Sequence, residues 1–148
     1  PEAAMELLEA RVAACLAADV RLTLAGSSLG GYYASFLAER YDLKAVLINP
    51  VVAEHLRLAW RLGIQQNPYT GEAHRVEAAH LDWLRGIAVQ NPVGARYLLL
   101  LETGDEVLDY RLAEARYAGA RQQVCAGGNH SFTRFPQFIP QILEFAGL

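Results

Sequence analysis

The chain has 148 residues, with 13 Lys and Arg against 16 Asp and Glu, a formal charge of −3 and 53% hydrophobic residues. That length suits one domain, which buries roughly 70% of its unfolded surface and needs no disulfide staple. Phosphate binding requires clustered Lys and Arg, so a mildly acidic chain with no basic run is not expected to take nucleic acid as a partner, and with 20% charged residues it is too apolar for disorder.

The two cysteines, Cys15 and Cys125, lie far apart with no short-spaced Cys/His cluster beside them. A Cys-based zinc site is therefore not expected, and reduced thiols in a cytoplasmic protein are. No apolar run reaches the ~20 residues of a membrane helix. The Ala-rich start is interrupted by Glu2, Glu6, Glu9 and Arg11 and has no signal-peptide hydrophobic core.

In chain order, a helix is predicted over Ala3 to Ala18, with Met5, Leu8, Val12, Cys15 and Leu16 on one stripe. Val20 to Ala25 alternates and ends at Gly26, which reads as a strand, and Leu29 to Arg40 reads as a helix. Lys44 to Ile48 is a short apolar strand stopped by Asn49-Pro50. Tyr97 to Leu101 is another, stopped by Gly104. A helix over Asp109 to Tyr117, a strand over Gln122 to Ala126 and a helix over Pro136 to Phe145 follow, the last with an irregularity at Pro140.

Strands alternating with helices predict βαβ units and a mostly parallel sheet covered on both faces, a three-layer α/β/α sandwich. One stretch breaks the rhythm. Val51 to Pro92 is helix-like with turn signals at Asn67-Pro68 and Thr70-Gly71, too long for a structureless loop. It is expected to be an insertion within a single 1–148 domain, either a cap over a site or a helical excursion on the sheet edge. Leu56, Ala59, Trp60 and Gly63 fall there at helical spacing, which points to core packing.

The chemistry is concentrated at Gly26-Ser27-Ser28-Leu29-Gly30, a G-x-S-x-G pattern between a predicted strand and a predicted helix. A serine at so sharp a turn projects from the end of the sheet, and its neighbours two positions away must be small because helix and strand crowd there. Only Ser28 has glycine on both sides at that spacing. A tight βα turn with an N-cap serine is the plainer reading of the same residues. A dinucleotide loop would need glycine at position 28 and an acidic residue near Ala45 to Asn49, and a P-loop would need G-K-[ST]; neither is present.

A nucleophilic serine requires a base, and the base an orienting acid. Thr103-Gly104-Asp105-Glu106 and Gly127-Gly128-Asn129-His130 each follow a predicted strand, at the edge where parallel sheets build sites. Ser28, Asp105 and His130 form the candidate triad, with Glu106 and Asp109 close enough to compete for the acid's place. His55, His74 and His80 lie in the insertion without H-E-x-x-H spacing, so no metal is expected.

At these residues the chain resembles the α/β-hydrolase superfamily, and within it the bacterial YqiA-type esterases. The resemblance rests on Gly26 to Tyr33, on Asn67-Pro68-Tyr69-Thr70-Gly71, on Thr103 to Arg111 and on Gly127 to His130, and spans nearly the whole chain. It implies the α/β-hydrolase fold and a serine carboxylesterase or thioesterase acting on a small-molecule ester or acyl thioester, without a cofactor. It also implies Ser28 as nucleophile, Asp105 as acid, His130 as base and the backbone N–H of Leu29 as an oxyanion donor.

The front of the chain departs from that pattern. The family opens with a strand and a His-Gly-type loop that supplies a second oxyanion donor, and no His-Gly dipeptide occurs here. A first strand would also leave one apolar edge unpaired, so about one or two further βα units are expected ahead of it. Loss of one oxyanion donor costs ~2.7–4 kcal/mol. The rival expectations are a non-catalytic binding or scaffold protein on the same fold, and an acyltransferase or lyase using the same triad.

Overall fold

The computed structural model describes residues 1–58, 62–66 and 70–148. Ala59, Trp60, Asn67, Pro68 and Tyr69, which the sequence singled out, lie outside the described residues. In chain order the elements are α1 (Glu2–Ala17), β1 (Thr23–Ser27), α2 (Leu29–Tyr41), β2 (Lys44–Ile48), α3 (His55–Leu58), β3 (Gly63–Gln66), β4 (Ala73–Val76), α4 (Ala78–Gly86), β5 (Tyr97–Glu102), α5 (Tyr110–Arg116), β6 (Arg121–Cys125) and α6 (Ile139–Ala146).

Four strands form one parallel sheet in the order β1-β2-β5-β6. Alternation along each strand divides the core between two faces. Ala45, Leu47, Tyr97, Leu99 and Leu101 meet Ala34 and Ala38 of α2 and Ala113 of α5 on one face. Val46, Ile48, Leu98 and Leu100 meet Phe132, with Phe138, Ile142 and Phe145 from the C-terminal helical segment, on the other. The predicted α/β class and its helix–sheet–helix layering are thus what the chain adopts, because Tyr97–Leu101 and Ala45–Ile48 carry apolar side chains to both faces and require helices on each.

Several predicted boundaries shift, each for a local reason. β1 begins at Thr23 rather than Val20 and runs to Ser27, since its ladder pairs Thr23 with Lys44 and Ser27 with Ile48; Val20 is half exposed outside it. Among the described residues β1 pairs on one side only, with β2. On α1, Met5 and Val12 are buried against Tyr33, Leu37, Leu81 and Leu84, whereas Leu8 and Leu16 of the predicted stripe are exposed. Asp109 stands at the N-cap of α5, its carboxylate accepting the Arg111 N–H. Pro140 causes no break within a helix. It lies in the first turn of α6, where a missing N–H costs nothing, after a 3₁₀ turn over Phe135–Phe138.

The region between β2 and β5 departs most from the helix-like expectation. It contains an antiparallel hairpin, β3 with β4, between two helices. Gly63, read at helical spacing, starts β3 with φ of 109°, while Leu56 is buried as expected. The Tyr32 hydroxyl donates to the Leu84 carbonyl at 2.8 Å and ties α4 to α2. None of the described helices is long and apolar enough to cross a membrane, and Cys15 and Cys125 are free thiols.

His55 links this region to the acid loop. The Val52 N–H donates to its Nδ1 at 3.0 Å, and its Nε2 lies 3.1 Å from the Asp109 carbonyl, so the neutral ring with the proton on Nε2 satisfies both contacts. Burial holds its pKa below the ordinary 6.5, against the opposing pull of Asp109. The unfolded chain therefore binds this proton at higher pH than the folded one, and acid favours unfolding. Urea denaturation followed from neutral pH down through 6.5 is expected to show stability falling. His55→Gln is expected to flatten that slope whatever its starting stability; an unchanged slope would remove His55 as its source.

Candidate active site

The site is assembled where the parallel strands end. Ser28 follows β1, Asn49 follows β2, and the loops after β5 and β6 carry Asp105 and His130. Strand polarity therefore brings together side chains separated by up to 102 positions.

Ser28 is the hinge between β1 and α2, with φ 53° and ψ −123°, a backbone conformation that non-glycine residues rarely hold. The surroundings enforce it. The Ser28 N–H donates to the Ile48 carbonyl, and its own carbonyl accepts from the Val51 N–H, both at 3.0 Å. A Cβ at Gly26 would come within 2.2 Å of the Gly30 carbonyl oxygen, so position 26 cannot carry a side chain without moving the helix. The symmetric expectation for Gly30 fails. A Cβ there meets nothing within 4 Å; it is the backbone of Gly30 that crowds Gly26, and the second crowded glycine is Gly31, against Pro50.

Ser28 stands at the N-cap position of α2, but its side chain makes no cap hydrogen bond there. Its Oγ lies 3.0 Å from His130 Nε2. The other ring nitrogen, Nδ1, lies 3.0 and 2.9 Å from the two carboxylate oxygens of Asp105. The Asp105 side chain is 1% exposed and the His130 side chain 21%. Because Nδ1 faces an acceptor on either oxygen, the ring proton belongs there, which leaves the Nε2 lone pair toward the serine hydroxyl. Asp105 Oδ1 also accepts the N–H groups of Val107 and Leu108, at 2.8 and 2.9 Å, so the carboxylate is held on both sides.

The acids that competed with Asp105 are otherwise engaged. Glu106 accepts the backbone N–H of His130 at 3.0 Å and supports the loop rather than the ring. Asp109 caps α5 and pairs with Arg111, whose cation holds the carboxyl below its usual range. The N–H of Leu29 is the first amide of α2 and has no intrahelical carbonyl to bond.

Sequence reasoning read Asn49 only as a strand stop. Its Nδ2 donates to the carbonyls of Asn129 and His130 at 3.1 and 3.2 Å, and its Oδ1 accepts the Glu102 N–H at 2.9 Å. A buried amide thus fastens the histidine loop to the end of β5. The signal available beforehand was an asparagine directly after a buried strand, where the backbone has φ of 39°. No group of three or more described His, Cys, Asp or Glu residues could hold a metal. His74 faces Glu72 and His80 accepts the Glu77 N–H instead.

The uncharacterised protein family UPF0227 matches residues 1–147, and the chain belongs to that family. Among solved structures, the esterase domain of a Rhodothermus marinus protein matches with a TM-score of 0.58 at 19% identity, covering 82% of this chain and 58% of that one. Mouse alpha/beta hydrolase domain-containing protein 10 matches with a TM-score of 0.60 at 17% identity, covering 82% of this chain and 60% of that one. Est1E from Butyrivibrio proteoclasticus, solved with ferulic acid bound, matches with a TM-score of 0.58 at 17% identity, covering 81% and 55%. The fold is that of the α/β hydrolases, and this chain spans less than two thirds of the length of these structures.

The packing at the hinge distinguishes its two glycines. Gly26→Ala is expected to lower stability by about 1–3 kcal/mol, the usual cost of overpacking. Gly30→Ala, in open space on a helix, should be neutral or gain up to about 1 kcal/mol. Chemical denaturation of both variants checks the order, and equal losses would contradict it.

Proposed function

We propose that this member of UPF0227 is a serine hydrolase that cleaves a carboxylic ester or thioester through Ser28, His130 and Asp105. The observation that carries the reading is the unbroken relay from Ser28 Oγ to His130 Nε2 and from His130 Nδ1 to Asp105, with every link between 2.9 and 3.0 Å.

In this mechanism His130 Nε2 takes the Ser28 proton as Oγ attacks the substrate carbonyl carbon. The imidazolium that forms is stabilised by the Asp105 carboxylate beside Nδ1, which also keeps the ring in its working tautomer. Negative charge on the carbonyl oxygen is met by the Leu29 N–H. Collapse of the tetrahedral species breaks the bond to the alcohol or thiol, which leaves with the proton from His130. Water, deprotonated by the same nitrogen, then attacks the acyl-Ser28 ester; the carboxylic acid departs and the proton returns to Oγ.

An acyl substrate is also supported by the surface beside the hinge. A cleft of about 410 Å³ is lined by Leu29, Tyr33, Val76, Leu81 and Leu84, with His74, Arg75 and His80 also on its wall. The first of these supplies the oxyanion donor, and Val76, Leu81 and Leu84 belong to the segment between β2 and β5. In this reading that segment acts as a cap whose apolar side chains receive the acyl group.

The test uses the full-length protein. A fluorophosphonate should label it at Ser28, and Ser28→Ala should abolish labelling. Asp105→Asn should lower kcat on a short p-nitrophenyl ester by about 10⁴-fold, because the amide favours the wrong histidine tautomer. Labelling that persists in Ser28→Ala would remove the serine from its role. Absence of both labelling and turnover in the unmodified protein would leave a binding or scaffold protein on a hydrolase fold.

A further inference from the structure

The last residue of β5 carries a charged side chain within the buried part of the sheet. Glu102 is completely buried, and the relay does not use its carboxylate. Each of its polar groups is tied to one of the loops at the site. Its carbonyl accepts the Asp105 N–H at 3.2 Å, at the root of the acid loop. Its N–H donates to Asn49. Its Oε2 accepts the Asn129 N–H at 2.6 Å, one residue before His130. The backbone of the histidine loop lies directly on the carboxylate: a Cβ at Gly128, where φ is 78°, would stand 2.1 Å from Oε2.

One cation matches this buried charge. Arg134 Nε lies 2.5 Å from Glu102 Oε1, an ion-pair contact rather than an aligned hydrogen bond. The same guanidinium donates through Nη2 to the Ala126 carbonyl at 3.2 Å. Arg134 thus closes the 126–134 loop across its base and neutralises the carboxylate that holds the loop's middle.

We infer that Glu102 and Arg134 are positioning residues, a charge-matched pair that sets His130 in line between Ser28 and Asp105. A buried ion pair is not in itself a source of stability, but removing the cation strands the buried carboxylate in a dry site, whereas the Arg134 side chain, 32% exposed, keeps access to water. The pair is therefore asymmetric, and the carboxylate is the member that depends on its partner. Arg134→Ala leaves an uncompensated carboxylate beneath Asn129. Glu102→Gln keeps an acceptor for the Asn129 N–H but turns an amide N–H₂ toward the guanidinium. With both substitutions the amide still accepts from Asn129 and no charge is stranded. The kinetic part of this inference rests on the hydrolase reading; the structural part does not.

The experiment compares Arg134→Ala, Glu102→Gln and the double variant of the full-length protein by two readouts. The first is ester turnover. Displacement of a reacting group by an ångström can cost ~10²-fold, so Arg134→Ala is expected to lower kcat by about 10- to 100-fold with KM nearly unchanged, and the double variant to recover most of it. The second is amide hydrogen exchange at Asn129 and His130, which needs no activity. It should accelerate in Arg134→Ala and return toward the parent rate in the double variant. A double variant that exchanges and turns over no better than Arg134→Ala would overturn the inference, as would an Arg134→Ala protein unchanged in both. If Arg134→Ala alone does not fold, a folded double variant supports the pairing and an unfolded one refutes it. Parent protein without turnover but with the expected exchange pattern would refute the hydrolase reading and keep the pair.

Discussion

Everything at this site depends on one constraint: four strands hydrogen-bonded in the same direction. In a parallel sheet all C-terminal ends meet at one edge, so whatever follows each strand becomes a neighbour of whatever follows the others. Ser27 stands opposite Ile48, Ile48 opposite Leu100, and Glu102 opposite Cys125. The residues immediately beyond these pairs are Ser28, Asn49, the acid loop and the histidine loop. A slip of one residue in any ladder would reverse which face each side chain meets and draw the loops apart.

The apolar core is what holds that register. Ala45, Val46, Leu98, Leu99, Leu100 and Leu101 are all fully buried, and alternate members face α2 and α5 or Phe132 and the C-terminal helix. Because both faces are filled, neither β2 nor β5 can shift without exposing large side chains and burying polar ones. Rigidity in the middle of the sheet is passed to its edge through short loops. The backbone at Ser28, held in an uncommon conformation by bonds to Ile48 and Val51, is the clearest example.

Three acidic residues within five positions have separate partners, and charge and burial divide them. Glu102 is inside the sheet and meets a backbone N–H and an arginine. Asp105 faces the imidazole and two loop amides. Glu106, at the surface, takes the His130 N–H. The first and last act on the backbone that carries the ring, and only the middle one touches the ring itself. Buried carboxylates are costly unless partnered; Asp105 has donors on both oxygens, and Glu102 has the Asn129 N–H on one oxygen and the Arg134 charge beside the other.

Part of this was legible in the sequence, because the information is local. Lys44–Ile48 and Tyr97–Leu101 are apolar throughout, which suffices to identify buried strands, and the crowding around Gly26 and Ser28 is a property of five consecutive residues. The order Ser, Asp, His could be read in the same way. The β3–β4 hairpin could not, since Gly63–Gln66 and Ala73–Val76 have no apolar alternation and exist only through pairing with each other. Nor could the partners that engage Glu106 and Asp109 elsewhere, the role of Asn49, or the meeting of Glu102 with Arg134. Apart from Asp109 with Arg111, those are contacts between chain segments tens of residues apart, and strand order and register, not local sequence, determine which side chains come within hydrogen-bonding distance.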